Sequence, residues 1–467
     1  MKESYRKLVE DVPDYDAFLT VDELDAGSFA LAKRYPKTVR VFPIGKTKEG
    51  RTLFCLKIGS GSKNALMFGC PHPNEPIGAM MLEYFSEQLA GNESLRRELD
   101  YTWYIVKAWD ADGLKLNEGW LKGPFTIRNY ARHFFRPAGY RQVDWTFPVD
   151  YKELHFHAPV PETEAMMRLI DDIKPHFIYS LHNAGFGGVY WYVSSPIDPV
   201  YDAMRAAAEK EGVPLNLGEP ETPYCEMLSP AVYKLFGIEK EYDYLEQYGA
   251  ERINEIINAG NCSASYAKKR YGSFTLLTEL PYFYDARIMN LRNGSMTRKE
   301  AVSRRLDENA EANRYLKAML ERAKGLVDDE NPFKLALEAF SAGREEESTR
   351  RMIEQNPEYA RTATVAEEFD NLLMSRFYKC LSYGMAIRMN EYELERMAKR
   401  RETDPEKEKK LRDNAADAEK AFTALVTQVE GALDYEAVPI RKLVRIQLAC
   451  GLLVSEYLHD KNLKEGI

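Results

Sequence analysis

Between about residues 36 and 282, short apolar runs rich in β-branched and aromatic residues alternate with stretches of helical periodicity. Strands are predicted at 38–41 and 51–59, around a Gly/Lys turn, and again at 176–182, 188–194 and 273–280. Residues 64–70 and 101–109 are apolar enough for strands buried on both faces. Between them, Ile77, Met80, Met81, Tyr84 and Phe85 fall on one helical stripe behind Pro76, a residue suited to a first helical turn. A second stripe, Met166, Leu169, Ile170 and Ile173, stops before Pro175. Strands alternating with helices predict an α/β fold, a mixed and mostly parallel sheet with helices on both faces.

After about Thr297 the strand signal disappears. Residues 298–327 and 364–399 carry helix formers, mixed charges and apolar stripes, and 403–413 reads as a charged connector or a helix start. The expected organisation is an α/β domain over 1–296 and an α-helical domain over 297–467, within the two or three domains that 467 residues suggest. Residues 219–248, rich in Pro, Tyr and acid, read either as a lid inserted over a site or as a plain surface excursion.

Composition removes some function classes. Against 73 Asp and Glu stand 64 Lys and Arg, a net charge of −9 with no long basic block, which argues against a general nucleic-acid binder. Nothing approaches the ~18 consecutive apolar residues of a membrane span, and residues 1–14 lack the apolar core of a secretory signal. Six cysteines without a Cys-x-x-Cys pair fit free thiols in a reducing compartment, so a cytoplasmic enzyme is expected. Self-association through the helical region is left open.

Seven histidines permit a census: there is no His-Glu-x-x-His helix, P-loop or Gly-x-Ser-x-Gly elbow. His72 and Glu75 lie just past the predicted strand ending at Cys70. His182 and Glu279 fall at or near the ends of two others. In open α/β sheets the binding crevice lies outside the carboxyl ends of the strands. Two imidazoles and two carboxylates are thus delivered to one edge. Two His and one Glu with an open position form a catalytic zinc set, as in carboxypeptidase A. A further carboxylate must then move the proton. His155 and His157 alternate as in a strand and read as structural or exposed rather than as pocket lining.

From about Tyr15 to Pro281 the chain resembles the zinc carboxypeptidases of the M14 type. Arg34-Tyr35-Pro36, Ile44-Gly45-Lys46-Thr47 and Gly50-Arg51 are similar to the family's opening hairpin, and the 69–78 loop GCPHPNEPIG to its zinc-binding His-x-x-Glu loop. Asp110-Ala111-Asp112-Gly113 resembles its Asn-Pro-Asp-Gly turn, Ser180-Leu181-His182-Asn183 the third-ligand segment, and 273–280 the segment of the catalytic glutamate. The resemblance implies Zn²⁺ on His72, Glu75 and His182, with Glu279 as general base. Family members grip the substrate carboxylate with an Asn-Arg pair, but here those positions hold Asp144 and Trp145 before Phe147-Pro148. An acidic group there favours an amine; the alternative is that Asp144 is a loop cap and another arginine substitutes. Arg136 is the expected oxyanion donor and Arg128 the second choice, with Arg132 and Arg141 nearby. Tyr266 is the nearest match to the family's mobile tyrosine.

The expectation is a metallocarboxypeptidase acting on a peptide. Its alternatives are an amidohydrolase of the aspartoacylase/succinylglutamate desuccinylase type acting on acyl-amino acids, a cell-wall peptidase recognising a diamino acid, and a non-enzymatic binding scaffold.

Overall fold

The computed structural model describes residues 1–343 and 346–465. Its strands are β1 Val39–Lys46, β2 Thr52–Ile58, β3 Lys63–Phe68, β4 Tyr101–Val106, β5 Val149–Tyr151, β6 Leu154–Phe156, β7 Phe177–Phe186, β8 Tyr190–Val193, β9 Glu226–Ser229, β10 Val232–Lys234, β11 Phe274–Tyr284, β12 Asn293–Thr297, β13 Thr362–Thr364 and β14 Glu436–Ala437. One 10-stranded sheet runs in the order β1-β2-β4-β3-β7-β11-β8-β10-β9, with β14 paired to β11. Its centre, β4-β3-β7-β11, is parallel. The flanking β2 and β8 join that centre antiparallel.

Alternation along the central strands divides the core. Ala65 and Met67 of β3, with Phe177, Tyr179 and Leu181 of β7, belong to the larger apolar cluster. Leu66, Phe68 and Ile178 point the other way, into a second cluster with Met166, Leu169 and Ile170 of the helix Pro161–Ile173. This is the period-2 pleat of a sheet covered on both sides. The helices Ile77–Gly91, Asp198–Lys210 and Ile440–Glu465 cover the first face.

The region after Thr297 is largely helical, with long helices Arg298–Ala323, Ser375–Arg400, Pro405–Ala432 and Ile440–Glu465. Residues 403–413 resolve into a helix start: Asp404 accepts from the Lys407 backbone N–H at 3.0 Å. Two short strands, β13 and β14, escaped the sequence pattern because they are too brief to show alternation. The helical segment shares the larger apolar cluster with the sheet, for example through Phe377, Leu443 and Val444. All six cysteines are free. Among the described residues no helix is long and apolar enough to cross a membrane.

Candidate functional site

β3 pairs with β7 only over Ala65–Phe68, opposite Phe177–Ser180. β7 therefore runs on past the end of β3, and the loop of residues 71–76 fills the space left beside it. Cys70 turns the chain there with φ 50°. Close packing holds the loop down: a Cβ on Gly69 would lie 2.7 Å from the Lys107 carbonyl oxygen, and one on Gly78 would lie 2.5 Å from Leu181 Cβ. Asn183 Oδ1 accepts from the Ile77 N–H at 3.3 Å and from the Tyr282 hydroxyl at 2.9 Å. These contacts fix His72 and Glu75 against β7 and β11.

His182 on β7 stands directly opposite Glu279 on β11, and Tyr190 of β8 flanks Glu279 on its other side. Both strands extend further than the sequence suggested, so His182 and Glu279 are not terminal. The regular register breaks just beyond them, after Leu280.

The four groups converge in a buried cluster. His72 Nδ1 lies 3.0 Å from Glu75 Oε1, and His182 Nδ1 lies 3.1 Å from Glu75 Oε2 and 3.6 Å from Glu279 Oε1. The His182 contacts are close without being hydrogen bonds. Glu75 Oε2, His182 Nδ1 and Glu279 Oε2 are all buried without a hydrogen-bond partner, a costly arrangement unless the group they face is a cation. His72, Glu75 and His182 each offer one donor atom, all within 4.8 Å of one another. Ser180 Oγ, 2.8 Å from His182 Nε2, orients that ring from behind. The donor set and its orphaned atoms fit a zinc ion.

Electrostatics separate the carboxyls. Burial, and then the Arg136 guanidinium, push the His72 pKa down to about 3, so the ring is neutral. Burial opposes ionisation of Glu75, but the two imidazoles beside it, His72 and His182, outweigh burial and hold the carboxyl below its ordinary range. Glu279 is driven the other way, well above the ordinary carboxyl value, by burial and then by the charges of Glu75 and Glu221.

Arg136 is the arginine that reaches the cluster. Its guanidinium donates to His72 Nε2 at 3.0 Å, Glu75 Oε1 at 3.3 Å and Gln142 Oε1 at 3.3 Å. Arg128 is turned away: it donates to Thr427 at 2.9 Å and sits 3.7 Å from Glu430. Arg132 is held by Glu391 and Glu419, and Arg141 by Glu330. Tyr266 likewise points elsewhere, its hydroxyl donating to Asp171 at 2.9 Å. Asp144 is the loop cap: buried, it accepts from the Ser263 N–H at 2.7 Å, and burial lifts its pKa to about 6 despite that bond. That bond takes up one of its carboxyl oxygens. Trp145, 41% exposed, stands at the rim with its ring 5.5 Å from His72 and Arg136 Cζ 5.5 Å above it.

Two neighbours of the site escaped the sequence reading. Exposed Glu221 accepts from the buried Tyr190 and Tyr192 hydroxyls, each at 2.8 Å. The segment read as a lid is thus tied to β8 and adds β9 and β10 to the sheet edge. The available signal was the pair of tyrosines two apart on β8, which share a face. Tyr378, from the helix Ser375–Arg400, donates to the carbonyls of Ala184 and Phe186 just after His182. No local pattern marks it.

The family model described as zinc carboxypeptidase matches residues 28–285. Carboxypeptidase D of Anas platyrhynchos is 22% identical over 276 residues, 54% of this chain and 19% of that protein. Carboxypeptidase D of Drosophila melanogaster is 26% identical over 204 residues, 40% of this chain and 14% of that protein. The chain thus matches only a minor part of the length of either relative. Among solved structures, carboxypeptidase A from Helicoverpa armigera aligns with TM-score 0.39 at 17% identity, over 60% of this chain and 71% of that one. With more than half of its length under the family model, the chain belongs to the zinc carboxypeptidase family.

Proposed function

We propose that this protein is a zinc-dependent carboxypeptidase that hydrolyses an amide bond near the C-terminus of a peptide. The convergence of donor atoms from His72, Glu75 and His182, with Glu75 Oε2 and His182 Nδ1 unpartnered and Glu279 beside them, supports the reading. Those three residues would hold the metal, and bound Zn²⁺ supplies a Lewis acid that acidifies water and polarises a carbonyl. Glu279 lies outside the ligand set and has a raised proton affinity. It is suited to taking a proton from water and returning it to the departing amine nitrogen. Arg136, fixed by three acceptors, can turn its N–H groups to a carbonyl oxygen as negative charge develops there.

Glu221 favours one particular substrate end within this chemistry. It is a carboxylate whose charge is felt at Glu279 and whose partners are two neutral hydroxyls, while Asp144 Oδ1 is occupied by Ser263 and Arg128 by the C-terminal helices. A peptide ending in a diamino acid would bring an ammonium group to Glu221.

Glu279→Gln should lower turnover about 10²–10⁴-fold while metal analysis still finds zinc. His72→Ala/His182→Ala should lose the zinc of this site. Near-wild-type turnover by Glu279→Gln would overturn the base assignment. Product analysis on peptides identifies the residue released.

A further inference from the structure

Two of the five histidines that the site does not use, His155 and His157, lie on the β5–β6 hairpin and just past its end. Asp150 stands directly opposite His155 in its register, and His157 follows two residues on. That spacing places both imidazoles on the same side as the carboxylate. Asp150 Oδ1 meets His155 Nδ1 at 2.7 Å and His157 Nε2 at 2.9 Å. One donor atom from each of the three residues falls within 4.8 Å of the others, and all three side chains are open to solvent.

The frame under these side chains is anchored. Val149 and Leu154 are buried in an apolar cluster with Tyr242, Leu245 and Ile257. At the turn, Lys152 Nζ is held by Asp243 at 2.8 Å and Glu246 at 2.6 Å, and the Tyr151 hydroxyl by Asp243 at 2.8 Å. Hydrogen bonds from the two histidines hold the Asp150 carboxyl below its usual range. The hairpin therefore presents its donors already gathered.

We propose that Asp150, His155 and His157 form a second metal site, on the surface hairpin, that takes a borderline divalent transition ion. Two imidazole nitrogens and one carboxylate oxygen match the preferences of Zn²⁺, Co²⁺, Ni²⁺ or Cu²⁺; Ca²⁺ and Mg²⁺ prefer oxygen ligands throughout. On binding, each imidazole offers a neutral nitrogen in place of the hydrogen it gives to Asp150, and any proton displaced leaves to solvent. Water completes the coordination shell. With three ligands, all exposed, this ion exchanges more readily than one in the buried cluster.

The test is equilibrium dialysis of the full chain against Zn²⁺ after chelator treatment, with metal counted per chain. Wild type is expected to hold two zinc ions, His155→Ala/His157→Ala one, and His72→Ala/His182→Ala one. An equal count in wild type and His155→Ala/His157→Ala overturns the hairpin site and leaves the buried one standing. A wild-type count of one that is lost only in His155→Ala/His157→Ala upholds the hairpin and removes the buried set. A spectroscopic arm guards against misfolding of the buried-site variant: Cu²⁺ added to His72→Ala/His182→Ala should show nitrogen hyperfine coupling that disappears when His155 and His157 are also replaced. Persistence of that coupling refutes the assignment.

Discussion

Gly384→Ala tests how the C-terminal helices hold the site. Gly384 lies mid-way along the helix Ser375–Arg400, where alanine is intrinsically better than glycine by about 1 kcal/mol. Propensity alone therefore predicts a gain. Packing predicts the reverse, because the added Cβ would lie 2.0 Å from the Ala131 carbonyl oxygen, on the helix Ile127–His133. An unstrained C···O contact is ~3.3 Å, so the two helices would have to part by roughly 1.3 Å. Forced separations of this kind cost about 1–3 kcal/mol. The same movement stretches the Arg388 bonds to the His133 and Phe134 carbonyls, now 2.7 and 3.1 Å, and hydrogen bonds to charged groups contribute about 1.5–3 kcal/mol. The expected net is a loss of about 2–4 kcal/mol, with sterics winning over propensity. Urea unfolding reads it as a lower midpoint at unchanged slope. Gly431→Ala is the control: nothing lies within 4 Å of its Cβ position, so it should be neutral or slightly stabilising. Because Arg136 follows Ala131 by five positions, catalytic efficiency should also fall while zinc is retained. A Gly384→Ala protein as stable as wild type would refute the packing argument.

Other expectations follow from single contacts. Arg388→Met leaves the carbonyls of Leu116, His133 and Phe134 without their donor and should cost about 2–4 kcal/mol in the same urea assay; a change below 0.5 kcal/mol (roughly the level of an ordinary surface substitution) would contradict it. Asp370 is buried against Glu219, and burial raises its pKa from 3.8 to about 7. The native state binds that proton more tightly than the unfolded chain, so its contribution is complete below pH 3.8 and is lost as pH rises through about 7. Asp370→Asn should flatten the stability–pH curve between those values, and an unchanged slope would rule this out. Glu221→Gln should lower kcat/KM for a peptide ending in a diamino acid at least tenfold more than for one ending in leucine, a difference of about 1.4 kcal/mol; equal losses on both would remove Glu221 from substrate selection.

Much of the sheet was readable because its signal is local. Residues 64–70 and 101–109 are mostly apolar, as strands covered on both faces must be, and they overlap β3 and β4. His72, Glu75, His182 and Glu279 could be placed on one side because topology fixes where the ends of parallel neighbours meet. The arginines could not be sorted in this way. Arg128 and Arg132 find partners about 260–300 positions away, in helices whose docking no periodicity encodes. Asp144 illustrates a different limit. Whether a carboxylate faces a ligand or caps a backbone N–H is settled by a 2.7 Å contact with Ser263, 119 positions away. Tyr266 was chosen by spacing, yet its hydroxyl goes to Asp171 on the helix Pro161–Ile173.

The pairing of β14 with the end of β11, and the seating of the helix Ile440–Glu465 on the adjacent sheet face, bear on when the site can be completed during synthesis. Gln447 accepts from the Tyr179 hydroxyl at 2.8 Å through its carbonyl and donates to the His182 carbonyl at 3.4 Å. Glu436 is incorporated 157 residues after Glu279. At ~5–20 residues per second that is an interval of roughly 8–30 s. During it the central strands have left the ribosome, but the helix that covers Tyr179 has not yet been made. The nascent sheet therefore spends that interval with part of an apolar face bare, and its backing at His182 arrives only with that helix.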